Sequence, residues 1–227
     1  MILVTLYNGV KAWAFGYSKY IQAAVRNVKE HFNKKGKKPF PSKLHMNPFT
    51  SNYRPEIYIY QETEPQYVSY YQSLIGIIWW TVELGRVDIC VEVSIISYHV
   101  TFPGQGNIDQ VLHIFGYLKK YHNSQMVLNT TQPEINMSHF EKQDWSQTIY
   151  GKLTEAINPN APLACGRRMC MTILVNSDHA GESLTHRSRT GYLIFLNESP
   201  IYWFSKKIPS IEMSTFGAGF WEMKQAT

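Results

Sequence analysis

Apolar and polar positions alternate over residues 2–15 and break at Asn8-Gly9, a pair suited to a two-residue hairpin loop, so Ile2–Tyr7 and Val10–Phe15 are expected to pair as strands. The period then lengthens. Ile21, Ala24, Val25, Val28 and Phe32 recur at helical spacing behind Ser18, which is placed to cap the helix, and the run closes in Lys34-Lys35-Gly36. Lys19, Gln22, Arg26 and Lys29 line the opposite stripe. Residues 37–55, basic and with four prolines, predict an extended connection. Three helices follow: Gln66–Leu84 closed by Gly85, Asp88–Phe102 closed by Pro103-Gly104, and Asn107–Tyr121 opened by an Asn-x-x-Gln capping pattern. The first is apolar nearly all round from Leu74 to Val82 and is expected to be the buried one.

Residues 129–167, with Pro133, Pro159 and Pro162 among Asn, Gln and Thr, predict a linker. Beyond it Met169–Asn176, Gly191–Leu196 and Ile201–Ser205 have the character of strands, Asn197–Pro200 that of a hairpin turn, and Ser214 opens a last helix. Tyr202 and Trp203 alternate across their strand, so one is expected in the core.

Charge sharpens this picture. Residues 1–54 hold ten Lys or Arg against the single acid Glu30, while the rest of the chain holds twelve against sixteen. A basic surface is therefore expected at the N-terminal end, with a polyanion such as nucleic acid as its natural partner. The three cysteines, Cys90, Cys165 and Cys170, include no Cys-x-x-Cys pair, and Cys165, Cys170 and His179 lack an evident fourth zinc ligand. An intracellular protein, cytoplasmic or nuclear and not secreted, is expected. The longest apolar run, Leu74–Val82, is about half the ~20 residues that span a bilayer, which excludes a membrane partner for it.

The last third holds Val175-Asn176-Ser177-Asp178-His179-Ala180-Gly181, then Arg187-Ser188-Arg189-Thr190-Gly191-Tyr192, then Pro200-Ile201-Tyr202-Trp203-Phe204-Ser205-Lys206-Lys207, then Ser214-Thr215-Phe216-Gly217-Ala218-Gly219-Phe220. This ordered set resembles the start of the ribonuclease H domain in the Pol polyprotein of copia-type retrotransposons. Upstream, Asn8–Ala14, Ser18–Gln22, Tyr70–Gly76, Arg86–Ile89 and Tyr117–Lys120 are similar to the thumb and connection region after the reverse transcriptase palm. The resemblance implies an α+β chain: an N-terminal hairpin and helical thumb/connection region over 1–128, a linker over 129–167, and an incomplete ribonuclease H-like mixed sheet over 168–227.

It also implies a lost chemistry. The family holds Mg²⁺ with carboxylates, among them the leading Asp of an Asp-Ala-Asp segment and a helix Glu, and these align with Asn176 and Gly219. Asn is neutral and Gly has no side chain, so only Asp178 remains as a residual metal candidate. Glu222 lies ~4.5 Å further along the same helix, too far to substitute for Gly219. Asp178 and His179, as neighbours on an extended segment, point to opposite faces. The four aspartates, Asp88, Asp109, Asp144 and Asp178, include no adjacent pair, so the palm's Tyr-x-Asp-Asp turn is absent; Asp88 is expected to cap a helix and Asp109 to sit in a first turn.

The expected function is therefore weak, nonspecific binding of duplex nucleic acid or RNA/DNA hybrid by a polyprotein fragment without autonomous catalysis, its natural partner being the remaining Pol polypeptide. Lys19, Arg26 and Lys29, with Arg187, Arg189, Lys206 and Lys207, are the candidate phosphate contacts. Two alternatives stand beside this: an active hybrid ribonuclease or reverse transcriptase subunit completed by another chain, and a structural or interaction module reused by a host.

Overall fold

A computed structural model describes residues 1–34, 45–51, 53–54, 65–136, 138, 144–149, 151, 158–162 and 166–226. Most of the connection expected over 37–55, much of the linker, the Lys35-Gly36 helix end, Cys165 and the side chain of Glu222 lie outside the described residues.

β1 (Ile2–Thr5) and β2 (Lys11–Phe15) pair antiparallel from Ile2↔Ala14 to Thr5↔Lys11. The loop holds three residues and not the expected two: Leu6 N–H reaches Val10 O and Gly9 N–H reaches Leu6 O, both at 2.9 Å. Gly9 has φ 78° while Asn8 stays right-handed, so a turn followed by a glycine bulge replaces the loop in which both central residues would be left-handed. β3 (Met126–Leu128) adds to the other side of β2, from Trp13↔Leu128 to Phe15↔Met126. Three residues are too few to show a period, and this strand was not anticipated.

α1 (Ser18–Lys34) buries Ile21, Ala24, Val25 and Val28, the expected face. Ser18 is not its cap. Tyr17 O accepts the first helical bond from Ile21, and the Ser18 hydroxyl lies 2.8 Å from His122 Nδ1. α2 (Pro65–Glu83) closes as expected at Gly85, whose φ of 104° lets Gly85 N–H reach Val82 O at 2.9 Å and Arg86 N–H reach Thr81 O at 3.3 Å. α2 is not the most buried helix, for Trp80 is 55 % exposed. That place belongs to α4 (Gln105–Lys120), which touches α1, α2 and α3 and hides Ile108, Val111, Ile114, Phe115 and Leu118, each contributing about 1.5–3 kcal/mol by its burial. α4 starts two residues before Asn107. Asn107 is therefore an interior residue of the first turn whose Oδ1 accepts from Gly104 N–H at 2.9 Å, and Asp109 lies one turn further in, accepting from Gln105 Nε2 at 2.8 Å.

Asp88 does not cap the next helix either. A short 3-10 turn, Val87–Ile89, leads into α3 (Cys90–Ser97), and the Asp88 carboxylate turns back to take both Nε (2.8 Å) and Nη2 (2.7 Å) of Arg86. Tyr117 of α4 donates its hydroxyl to the same carboxylate at 2.8 Å, and Arg86 Nη1 donates to Tyr121 O at 2.9 Å. Arg86 is 4 % exposed. Burial pushes the Asp88 carboxyl up, but the Arg86 hydrogen bonds and charge and the Tyr117 hydroxyl outweigh it and hold it below its ordinary value; burial and Asp88 push the Tyr117 phenol up to about 12. This node clamps the end of α2 to the end of α4.

The second sheet is a meander of β4 (Met171–Ser177), β5 (Arg189–Leu196) and β6 (Ser199–Lys207), antiparallel throughout and so not mixed among the described residues, because each strand returns directly beside the last. The β5–β6 turn is Asn197-Glu198, with φ 54° at Asn197 only, and a bulge pairs Phe195 with Pro200, where the missing N–H is tolerated. α5 (Thr215–Ala226), capped as expected by Ser214 Oγ accepting from Gly217 N–H at 3.0 Å, packs across β4 and β5. β6 packs on α3. The start of the expected linker is part of this junction: Asn129 O accepts from Ser199 Oγ at 2.7 Å, Thr130 O from Asn197 Nδ2 at 3.0 Å and Thr131 O from Glu198 N–H at 3.2 Å. The architecture is thus α+β, with the connection between its halves held to both.

Two outcomes follow from these contacts. Asp88→Asn strands a buried guanidinium and should cost about 3 kcal/mol at neutral pH, less to the extent that Asp88 is partly open to solvent. Because its folded pKa is depressed, the stabilisation is complete above the ordinary carboxyl value of 3.8 and is lost as pH falls through the lower folded value, so urea titrations of the two proteins should converge only in that acid range. Second, β4 is an edge strand carrying Met171, Leu174 and Val175, 64 %, 55 % and 38 % exposed, with no charge among them. Sedimentation should show self-association that Leu174→Lys reduces; a monomeric parent protein would contradict this.

Candidate functional site

The basic stripe and the positions Asn176, Asp178 and Gly219 sit on separate elements. Lys19, Arg26 and Lys29 are exposed on α1, and among the described residues none is paired with a carboxylate. At 1.5 Å per residue they span ~15 Å along one side of the helix. Gln22, between them, is tied at 3.1 Å to His122 Nδ1, which also receives Ser18 and so fixes the start of α1 against the end of α4.

Asn176 lies exposed near the end of β4, opposite Gly191 of β5. Gly219 is on α5, the helix that crosses β4, and a Cβ there would meet nothing within 4 Å. Asp178 follows β4 and is engaged locally. Its Oδ1 accepts from the backbone N–H of Arg189, its own N–H reaches Arg189 O at 3.0 Å, and a Cβ on Gly181 would fall 2.0 Å from Oδ2. The carboxylate therefore pins the loop 178–189, whose Ala180 and His186 adopt φ 51° and 50°. No group of three or more His, Cys, Asp or Glu is placed to hold a metal ion among the described residues.

The four C-terminal cations divide. Lys206 is exposed at the end of β6. Lys207 turns inward: it forms an ion pair with Glu182, lies 4.2 Å over the Tyr98 ring, and leaves 9 % of its side chain exposed. Burial raises the Glu182 carboxyl, and the bond and charge of Lys207 bring it below its ordinary value. Arg189 also turns inward, donating from Nη1 to Ser94 Oγ at 2.6 Å, while Ser94 donates to Ser205 O at 2.8 Å. Burial pushes its pKa down, against the opposing charges of Asp178 and Glu182. Arg187 lines a cavity of about 250 Å³ between this loop, α3 and the segment around Phe49 and Tyr53. Nothing in the local sequence distinguishes Lys206 from Lys207 except strand alternation, which puts them on opposite faces. Ser94, Tyr98 and Glu182 carried no signal of their own.

Of the two aromatics on β6, Trp203 is the inward one, packed on the helical core with Nε1 donating to Val82 O at 3.1 Å. Tyr202 is 48 % exposed and stacks on Tyr192. Set against protein-family models, curated proteins and solved structures, the chain matches none. No helix among the described residues is long and apolar enough to cross a membrane.

The fit of Gly181 against Asp178 is testable. Gly181→Ala should cost about 1–3 kcal/mol in chemical denaturation, and in a double-mutant cycle with Asp178→Ala the two losses should be clearly less than additive, since the second change removes the oxygen that the new methyl meets.

Proposed function

We propose that the chain is a fragment of a copia-type reverse transcriptase/ribonuclease H polyprotein that binds nucleic acid through α1 and does not hydrolyse it. The observation that carries this reading is the exposed row Lys19, Arg26 and Lys29, paired with no carboxylate among the described residues, on a helix whose opposite face is locked into the core. Such a row suits successive phosphates of a duplex and reads no bases, so binding is sequence-independent. The absence of hydrolysis is supported by Asn176 and Gly219 in place of two carboxylates and by the engagement of Asp178 in its own loop. Mg²⁺, the family's cofactor, finds no cluster of anionic ligands to hold it among the described residues, so no catalytic step is assigned to it.

Replacing Lys19, Arg26 and Lys29 together by Gln should lower the slope of log affinity against log salt by about 2–3 units on a hybrid or duplex, with the fold unchanged because all three are exposed. An unchanged slope would move the interface away from α1. Incubation of the unmodified chain with an RNA/DNA hybrid and Mg²⁺ should give no cleavage above a protein-free control, and measurable turnover would favour the reading as an active ribonuclease completed elsewhere.

A further inference from the structure

The cavity between α3 and the loop 178–189 is charged, and its charges are unevenly satisfied. Among the described residues Arg187, Arg189 and Lys207 line it against the carboxylates of Asp178 and Glu182, an excess of one positive charge within these five, and Arg54, which has a partner of its own, stands beside them. Lys207 is neutralised by Glu182, Arg189 is anchored on Ser94, and Asp178 is held by a backbone N–H. Arg187 is different: its Nε is sealed from solvent and has no hydrogen-bond acceptor. A buried guanidinium N–H left without an acceptor is costly and rare in native proteins. The apolar side of the cavity, including Phe49, Val91 and Ile95, contributes no anion to meet it.

We propose that this cavity is a phosphate-binding site centred on the Arg187 guanidinium. The excess positive charge suits an anion, and a guanidinium fork matches two phosphate oxygens at once, which an ammonium does not. About 250 Å³ accommodates a phosphate group with part of whatever it esterifies, and the Tyr98 ring, already under Lys207, stands in the wall beside it. The ligand class is therefore a phosphate group, either inorganic phosphate or the terminal phosphate of a nucleotide. The site is separate from α1 and does not depend on the reading of that helix.

The test is thermal denaturation and calorimetric titration of the whole chain with inorganic phosphate and, separately, AMP, against sodium chloride at matched ionic strength. Phosphate should raise the melting temperature in a saturable way that chloride does not reproduce. Arg187→Gln should fold, since it removes an unsatisfied group, and should weaken phosphate binding at least about tenfold; Arg187→Lys, which keeps charge but loses the fork, should also weaken it. The triple Gln variant of Lys19, Arg26 and Lys29 should bind phosphate as the parent does, which separates failure here from failure of the α1 interface. AMP binding about tenfold tighter than phosphate assigns the site to nucleotides, and equal affinities assign it to the phosphate group alone. Absence of saturation with both ligands, or undiminished binding by Arg187→Gln, overturns the proposal.

Discussion

The indole of Trp203 leaves the second sheet, enters the helical core and donates to Val82 O, the carbonyl that also receives Gly85 N–H at the end of α2. Much hangs on this insertion, because β4, β5, β6 and α5 have little interior of their own. Among the described side chains between residues 166 and 226, the fully buried apolar ones are Ile208 and Ala218, whereas Met171, Leu174, Phe216 and Phe220 are largely exposed. With so little buried apolar surface to set against its ordering entropy, this three-stranded sheet with its one helix borrows the core built by α1, α2, α3 and α4. Ser94, bridging Arg189 and Ser205 O, and Asn129 under the β5–β6 turn add polar ties at the same junction.

The junction decides which charges face water. Docking β6 on α3 draws Lys207 over Tyr98 and Arg189 onto Ser94, so a cluster that looks like one basic patch in sequence is split between inside and outside. Lys206 stays exposed and Arg187 lines the resulting cavity. The basic row of α1 escapes this partition because its helix buries only the opposite stripe. Two classes of positive charge result: one exposed on a helix face and one lining the cavity beside α3.

Local signals in the sequence were sufficient for the features that local physics controls. The apolar period of α1, the Schellman end of α2 at Gly85 and the Ser214 cap of α5 were all legible, because each depends on residues within two turns of one another. Where a long-range partner competes, the local reading gave way: Ser18 answers to His122, Asp88 to Tyr117 as well as to its neighbour Arg86, and Asn107, through Nδ2 at 2.7 Å, to Tyr53. β3 was invisible for a related reason, since a three-residue strand exists only because β2 offers it an edge. At the candidate site, the neutral Asn176 and the Gly219 without a side chain were legible residue by residue, while the inward turn of Arg189 and Lys207 required knowing what β6 packs against.

The dependence of the sheet on the helical core is open to one direct measurement, amide hydrogen exchange of the parent chain and of Trp203→Ala. With the indole removed, β4, β5 and β6 should lose protection by at least about tenfold while Ile108–Leu118 of α4 retains its own, because the sheet opens without the helices doing so. Unchanged protection across residues 171–207 in Trp203→Ala would show that the sheet stands on its own interior, and would contradict the account.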